Sequence, residues 1–279
     1  MKCLRLLLAC ILLMAAGVFA QSNDDLDAED VDVSYIYAAV MGTGTYEING
    51  RRITMLKLPL SYTAQEMTTD QPGLVWNLPV SLGYDAVTDQ DRFGDLIDKD
   101  LVTLTALPGI EYNLPLDRTW RLKPLASLGL GHDFVADENI WMGVLGLSAL
   151  AKWQLPENWE LRWGGGFRVA GEYQDKSHHR TSFGLLETGV DARWDTPLVL
   201  GNRVVNTGAY YIFKYYIPEW DIDRLRPRES DVGVLNELGL SAGLKRSIKI
   251  LGVSFARVRI GYNWGSGVEG WTFGTEFPF

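Results

Sequence analysis

The sequence predicts an all-β fold: a transmembrane, antiparallel, up-and-down β-barrel of about 12 strands, with about 10 or 14 strands as the alternatives. Three observations predict it. Apolar and polar residues alternate from about residue 33 to the last residue, and nine of the ten tryptophans lie on the apolar face. In addition, the central spans of all strands from the second to the twelfth carry no charge on that face. Because successive side chains of a strand point to opposite sides, each strand has one apolar and one polar face.

The first 20 residues have the pattern of a secretory signal peptide. Lys2 and Arg5 supply the positive start, residues 6–16 are apolar, and Val18-Phe19-Ala20 forms a small-residue cleavage site. A lipoprotein signal ending at Cys10 is rejected, because too short an apolar run would precede that cysteine. Both cysteines of the chain lie in this segment, so the chain without it has no disulfide, iron–sulfur cluster or cysteine-ligated zinc.

Residues 21–32 form an acidic segment before the barrel. The chain has 26 Lys and Arg against 35 Asp and Glu, and this segment holds six of the acids and no basic residue: Asp24, Asp25, Asp27, Glu29, Asp30 and Asp32. We expect a solvated, disordered stretch. The alternative is a plug that enters the barrel against four basic residues, Arg121, Lys123, Arg257 and Arg259. The rest of the chain is only mildly acidic and does not indicate nucleic acid as a partner.

The barrel is predicted to span residues 33–279. Its strands are predicted at 33–46, 53–62, 74–85, 101–113, 119–132, 140–154, 159–173, 182–195, 204–217, 232–245, 253–264 and 270–279. Short reversals are expected at Asn49-Gly50, Leu155–Asn158 and Gly265–Gly267. Four prolines fall inside strands, where each removes a backbone donor, so we expect bulges or a local break there. They are Pro59, Pro79, Pro108 and Pro124.

The aromatic residues indicate which face is outside. A soluble β-sandwich or barrel would turn the apolar face inward and concentrate its rings in the middle of the strands. Here most rings lie near strand ends, in two groups. With a periplasmic N-terminus, one rim holds Trp76, Tyr112, Trp120, Trp153, Trp159, Trp194 and Phe279, and the other holds Tyr84, Trp141, Tyr173, Tyr215, Tyr262, Trp264 and Trp271. Two such girdles around an aliphatic band are typical of outer-membrane barrels.

The charged face is therefore predicted to line the lumen. Its basic residues are Lys57, Arg121, Lys123, Lys152, Arg162, Arg168, Arg193, Lys214, Arg257 and Arg259, and its acids are Glu111, Glu160, Glu172, Glu187, Asp191, Glu237 and Glu276. Two hypotheses are open, since a barrel of this size is either open or filled. One is a polar channel with a weak preference for anions. The other is a lumen closed by ion pairs, because Arg162, Arg168 and Arg193 share strands with acids.

The chain ends in a strand whose alternate positions, counted back from the terminus, are Phe279, Phe277, Thr275, Phe273 and Trp271. This ending resembles the terminal strand of Gram-negative outer-membrane barrels, in which a C-terminal Phe and alternating apolar residues are read by the barrel assembly machinery. The resemblance implies that Trp271, Phe273, Phe277 and Phe279 are an assembly signal. It also implies outer-membrane lipid and that machinery as partners. Pro278 departs from the pattern, because it has no backbone donor.

Twelve strands in about 250 residues also resemble the translocator barrel of autotransporters, and the sequence is similar to the small family of solitary autotransporter-like barrels. The resemblance covers about residues 33–279 as an architecture and not as a chemical motif. It implies an outer-membrane barrel of translocator or channel type, with a passive pore as one form of that function. Only residues 21–32 separate the signal from the first strand, so we do not expect this chain to secrete a passenger domain.

An outer-membrane hydrolase is an alternative function. Its chemistry needs a nucleophile or an activated water within reach of a histidine or an acid. The chain has three histidines: His132, which precedes Asp133 at a strand end, and His178 and His179, which share a loop with Ser177. These residues form no recognisable catalytic constellation, and we do not expect an enzyme.

A structural or surface-interaction barrel is the remaining alternative, and it would use the long loops 86–100 and 218–231. No cofactor and no metal is predicted. Gly164-Gly165-Gly166 lies in the middle of a strand. We interpret it as a close-packing or bend site and not as a phosphate-binding loop.

Overall fold

The structure is a computed structural model, and it describes residues 42–48, 51–86, 101–134, 137–176, 178, 180–200, 203–217, 233–250, 253–275 and 277–279. The predicted signal peptide, the acidic segment, the beginning of the first strand, the Asn49-Gly50 turn and most of the two long loops lie outside these residues. Among the residues that the structure describes, no helix is long and apolar enough to cross a membrane.

The described residues form one closed antiparallel barrel, which confirms the predicted fold class and the strand number. The strands are β1 (Thr43–Ile48), β2 (Arg51–Gln65), β3 (Gly73–Ala86), β4 (Leu101–Ala106), β5 (Gly109–Pro115), β6 (Trp120–Asp133), β7 (Glu138–Leu155), β8 (Trp159–Gln174), β9 (Arg180–Leu200), β10 (Arg203–Ile217), β11 (Val234–Ile250), β12 (Val253–Gly265) and β13 (Val268–Gly274). β1 pairs with β13 and closes the wall. β4 and β5 share one place between β3 and β6, so the segments make a barrel of 12 strands.

The two faces of the wall have opposite chemistry. On β7, Ile140 is fully buried, whereas its neighbour Trp141 is 57% exposed and Leu145 is 65% exposed. On β9 the carboxylates of Glu187 and Asp191 are buried, at 2% and 1% exposure. Because side chains alternate across a strand, the exposed apolar set forms the outer surface and the buried charged set faces the lumen.

The place shared by β4 and β5 is interrupted at Leu107-Pro108. The register against β3 and β6 is the same on both sides of this gap, so the break does not shift the pairing. Leu107 N donates to Pro79 O at 3.0 Å, and Leu128 N donates to Pro108 O at 3.0 Å. The expected local break is therefore observed here. Pro79 lies beside it, and its missing N–H faces the gap, because the N–H and C=O of a strand residue point to the same side.

The other prolines do not break their strands, so the expectation of a bulge at Pro59 was wrong. Pro59 lies opposite Pro79 within the continuous pairing of β2 and β3. Since Pro79 O points away from β2, this pair is a non-hydrogen-bonded one, and the missing donors cost that ladder nothing. At Pro124 the pairing of β6 with β5 is interrupted between Glu111 and Leu114, whereas its pairing with β7 is continuous.

The last strand is shorter than predicted. It ends at Gly274 and does not continue to Phe279. Trp271 and Phe273 lie on the outer face, at 53% and 50% exposure, but Phe277 and Phe279 are 7% and 4% exposed. Phe279 therefore does not belong to the aromatic rim where the alternation placed it. Pro278 has no donor for a ladder, and the two rings beside it are buried inside the barrel.

Aromatic rings of the outer face gather near the two ends of the strands. At one end the ring centroids of Trp120 and Trp153 are 6.1 Å apart, those of Trp120 and Trp163 are 5.6 Å apart, and those of Trp159 and Trp194 are 5.2 Å apart. At the other end the ring centroid of Tyr262 lies 5.3 Å from that of Trp271 and 6.4 Å from that of Trp264. Between β7 and β8 the connection is three residues long, since Leu155 pairs with Trp159, and Glu157 and Asn158 both have φ 62°, in the left-handed region.

Tyr210 of β10 lies across the glycines of two neighbouring strands on the lumen side. Gly239 is its register partner on β11, and Gly261 of β12 follows in the same row. A Cβ atom at Gly239 would lie 2.5 Å from Cζ of Tyr210. The ring therefore occupies the space that two side chains would need.

We expect Gly239→Ala to lower the free energy of unfolding by about 1–3 kcal/mol, because overpacking forces the ring out of its place. Urea unfolding of the protein folded into lipid vesicles measures this change. Gly171→Ala is the control, since a Cβ there would meet its nearest atoms at 3.5 and 3.6 Å. Equal losses of stability for the two variants would contradict the packing described.

Candidate functional site: the barrel lumen

The lumen wall carries two neighbouring rows of charge on β7, β8 and β9. The register aligns Lys152, Arg162 and Asp191 in one row, and it aligns Glu160 with Arg193 in the next. Residues opposite each other on neighbouring strands have Cβ atoms about 4.5–5.5 Å apart. The pairing of strands therefore brings opposite charges within contact of each other.

Glu160 is the centre of this cluster. Its carboxylate lies 2.8 Å from Nζ of Lys152, 2.6 Å from Nε of Arg162 and 3.8 Å from Nη1 of Arg193. Nε of Arg193 also donates to Oδ2 of Asp191 at 2.5 Å. Both groups of this last pair are buried, so each compensates for the water that the other has lost.

Further ion pairs continue around the wall. Nη2 of Arg168 lies 2.8 Å from the buried Glu187 carboxylate on the adjacent strand. Nζ of Lys123 lies 3.1 Å from Glu111. Arg257 has a different kind of partner, since its Nη1 donates to Oγ of Ser241 at 2.6 Å.

Glu237 of β11 is a carboxylate with four bonded partners, and it is 1% exposed. Its Oε1 accepts from the hydroxyls of Tyr210 and Thr272, at 2.9 Å each, and from Nη1 of Arg259 at 2.8 Å. Its Oε2 lies 3.3 Å from Nζ of Lys214. These donors come from β10, β12 and β13. One buried charge therefore ties together four strands next to the closure of the barrel.

Most of the predicted lumen residues contact an opposite charge, and Arg257 is bonded to Ser241 instead. Those brought into direct contact are Lys123 with Glu111, Lys152 and Arg162 with Glu160, Arg168 with Glu187, Arg193 with Asp191, and Lys214 and Arg259 with Glu237. Lys57, Arg121 and Glu172 also have partners. Glu276 lies outside the described residues. This geometry favours a lumen of paired charges over a lumen whose cations are available to a passing anion.

The same pairing bears on the acidic segment 21–32 as a plug. Of the four basic residues that it was predicted to meet, Lys123 and Arg259 form ion pairs with wall carboxylates, and Arg257 is bonded to Ser241. The wall therefore already supplies these cations with acceptors. The segment itself lies outside the described residues, and the plug stays a prediction.

Two predicted assembly-signal residues lie inside the barrel and not on its outer face. Phe277 and Phe279 pack with Leu150, Tyr210 and Ile212 in one buried cluster. Sequence reasoning placed these five residues in no common site, because an apolar residue on the polar face contradicts the alternation. The one available signal was the presence of such residues on the lumen side, next to glycines. The role of the terminal residues in assembly stays a prediction.

The two described histidines bond to groups of the turns and strand ends. Nδ1 of His132 lies 3.1 Å from Oδ1 of Asn139, and its Nε2 lies 3.9 Å from Asp137. Nδ1 of His178 lies 2.9 Å from the hydroxyl of Tyr173. His179 and Ser177, which were considered for hydrolysis, lie outside the described residues.

An ion pair joins the turn after β6 to the turn after β8. Nζ of Lys176 donates to Oδ2 of Asp137 at 2.7 Å. This hydrogen bond holds the pKa of Asp137 below its usual value and raises the pKa of Lys176. The side-chain amide of Asn139 donates to Asp175 at 2.9 Å and lowers the pKa of that carboxyl in the same way. All of these groups are exposed, so they orient the turns and add little stability.

Comparison with known proteins agrees with this architecture. No family model matches the chain, and no curated protein matches it. Among solved structures, the barrel is similar to the crystal structure of the β domain of the Bordetella autotransporter BrkA, with a TM-score of 0.56 and 12% sequence identity over 82% of this chain and 92% of that chain. The fold is that of an autotransporter β domain. This confirms the resemblance drawn from the sequence at the level of the fold.

Replacement of Glu237 tests the ion network. We expect Glu237→Ala to lower the free energy of unfolding by about 3–5 kcal/mol, because Arg259 and Lys214 would stay buried without their counter-ion. Glu269→Ala is the control: Glu269 is exposed and accepts one hydrogen bond from Tyr262 at 3.0 Å, so its loss should cost less than about 1 kcal/mol. Urea unfolding in lipid vesicles measures both, and similar values would contradict a central role for Glu237.

Proposed function

We propose that this chain is an integral outer-membrane barrel of the autotransporter translocator type, exported through a secretory signal peptide. The fold of an autotransporter β domain supports the class of barrel. The predicted signal peptide supports export from the cytoplasm. What the barrel does in the membrane depends on the chemistry of its two faces.

The exposed apolar belt is the observation that carries the proposal. Large aliphatic side chains in the middle of strands are not covered by any element that the structure describes: Leu128 is 78% exposed, Leu240 is 63% exposed and Val258 is 62% exposed. Monomeric soluble proteins rarely expose a continuous apolar surface of this kind. Hydrocarbon is the solvent that such a surface fits, and the aromatic rings at the strand ends fit its two interfaces with water.

The closed wall supports the same location. A strand in hydrocarbon must satisfy its backbone donors and acceptors within the protein, and only a helix or a closed barrel achieves this. Here the pairing of β1 with β13 leaves the sheet no free end. A soluble barrel would gain nothing from closure of a sheet with its apolar face outside.

A passive pore is the finer form of this function, and the lumen geometry weighs against a wide one. The described lumen cations are paired with acids or bonded to other wall groups, and side chains of the C-terminal residues lie among them. We infer a barrel whose interior is largely filled in the state described.

Two leucines of equal exposure distinguish a membrane barrel from a soluble one. Leu240 lies in the middle of β11, and Leu116 follows β5 at a turn; each is 63% exposed. We expect Leu240→Arg to lower the free energy of unfolding by about 2–4 kcal/mol and Leu116→Arg by about 0–1 kcal/mol, because a charge is costly only at the depth of the hydrocarbon.

The measurement is urea unfolding of each variant after folding into lipid vesicles, with the heat-modified mobility of the folded barrel on gels as a check of folding. In a soluble protein both substitutions are surface changes, and each would alter stability by no more than about 0.5 kcal/mol. Equal small effects at the two positions would contradict insertion in a membrane.

A further inference from the structure

The last residues of the chain leave the wall and enter the lumen. β13 ends at Gly274, where it pairs with Arg259 of β12. After that point Phe277 and Phe279 are almost fully buried, in one cluster with Leu150 of β7 and with Tyr210 and Ile212 of β10. The chain therefore turns away from its own place in the barrel.

The wall that receives these rings has an unusual row of residues. The register aligns Leu150, Gly164, Gly189 and Ile212 across β7, β8, β9 and β10. The row carries no charge, whereas the rows beside it carry Arg162 and Asp191 on one side and Glu187 and Lys214 on the other. These four residues therefore form an apolar patch between two charged layers of the lumen, and in their own row Arg121 of β6 and Glu237 of β11 lie next to its two ends.

The two glycines of this row make room for the rings. A Cβ atom at Gly164 would overlap Cβ, Cγ and Cδ2 of Phe279, and a Cβ atom at Gly189 would lie 3.3 Å from Cζ of Phe277. A larger residue at Gly164 would displace the tail, whereas a Cβ atom at Gly189 would first meet the backbone oxygen of Tyr211, at 2.7 Å. The glycine run at residues 164–166 thus contains a packing site, and its occupant is the end of the same chain.

The tail crosses much of the lumen to reach this row. In the order of the sheet, β8 lies five places from β13, nearly opposite in a barrel of 12 strands. Twelve strands about 4.8 Å apart and tilted by about 40° have a backbone diameter of roughly 24 Å, and side chains on both walls narrow this further. Five residues in extended form span up to about 17 Å, which bridges the remaining gap.

Polar contacts suit a crossing segment. Nη2 of Arg168, which also pairs with Glu187, lies 3.4 Å from the carbonyl oxygen of Pro278. Pro278 has no N–H that would need an acceptor away from a strand. The departure of Pro278 from a ladder pattern is therefore compatible with the position that the structure gives it.

We propose that the row of Leu150, Gly164, Gly189 and Ile212 is a binding site for the carboxyl-terminal aromatic residues of the chain, and that the bound tail closes the lumen. The ligand class is a short peptide with two phenylalanines separated by one residue. This inference rests on the proposed membrane barrel, because a closed lumen has a function only where two compartments are separated.

The first test uses protein refolded from urea into lipid, because the terminal phenylalanines are also the predicted assembly signal and cells would confound the two roles. Planar-bilayer recordings compare the full chain without its signal peptide, a variant lacking residues 275–279, and the double variant Phe277→Ala/Phe279→Ala. We expect steady channel openings from the two altered barrels and none from the full chain. Altered barrels that are folded and silent would overturn the proposal.

A peptide tests the site itself. Thr-Glu-Phe-Pro-Phe, the sequence of residues 275–279, should close the truncated barrel when added, whereas Thr-Glu-Ala-Pro-Ala should not. Gly164→Leu in the truncated barrel should abolish closure by the peptide. Gly171→Leu, on the outer face of the same strand, should leave closure intact. If the peptide still closes the Gly164→Leu barrel, or if the peptide without phenylalanines also closes the channel, a specific site is contradicted.

A cross-link keeps the proposal testable if truncation prevents folding. Both native cysteines precede residue 21, so the chain without its signal peptide holds none. Gly164→Cys/Phe279→Cys should form a disulfide in the folded barrel on oxidation, and Gly171→Cys/Phe279→Cys should not. Absence of the first disulfide would overturn the proposal.

The outcomes also separate this proposal from the proposed function. If the full chain fails to insert into vesicles, the proposed function as a membrane barrel is contradicted. If the full chain inserts but its C-terminal tail neither closes the channel nor forms the cross-link, only the proposal that the tail closes the lumen is contradicted.

Discussion

The alternation of side chains across each strand determines most of this structure, because closure of the sheet turns the apolar face of every strand outward and the polar face inward. The outer surface becomes continuous and apolar, and the charged residues are forced into a narrow interior. Charges that have lost water must find partners there. Glu160, Glu187 and Glu237 find them on neighbouring strands, in Lys152, Arg168 and Arg259, so the strand pairing that builds the wall also arranges these ion pairs. Asp191 instead pairs with Arg193 of its own strand.

The interior is not uniformly polar, and that difference assigns a place to the end of the chain. The row of Leu150, Gly164, Gly189 and Ile212 carries no charge, and its two glycines have no side chain, so the lumen wall has an apolar hollow there. Phe277 and Phe279 fill it, and Arg168 lies within reach of both the tail and Glu187. Paired charges narrow the barrel from its walls, while the tail crosses its middle. The two features together describe a barrel with a filled interior.

Much of the fold followed from the sequence, because a period of two persists through strands such as β7 and β8 and is interrupted by recognisable turns. The site was less accessible. Alternation assigns a residue to a face but not to a partner. The ion pair of Arg168 with Glu187 joins two strands, so it depends on a register that no local sequence pattern contains. Phe277 and Phe279 kept the outward phase of Trp271 and Phe273, and only Pro278 and the lumen glycines indicated another destination. The prediction of a bulge at Pro59 was wrong because it too depended on the register: Pro59 lies opposite Pro79 in a pair that needs no backbone donor.

The central claim is that the apolar face with its aromatic rims contacts lipid, and the tryptophans report on it directly. Nine of the ten lie on that face, and Trp220→Phe removes the remaining one. The measurement is the quenching of tryptophan fluorescence in vesicles by lipids that carry a quencher near the headgroup or at the end of the chain, and by aqueous iodide. The account predicts strong quenching by the shallow lipid, weak quenching by the deep one and little by iodide. Strong quenching by iodide with no response to either lipid would contradict it.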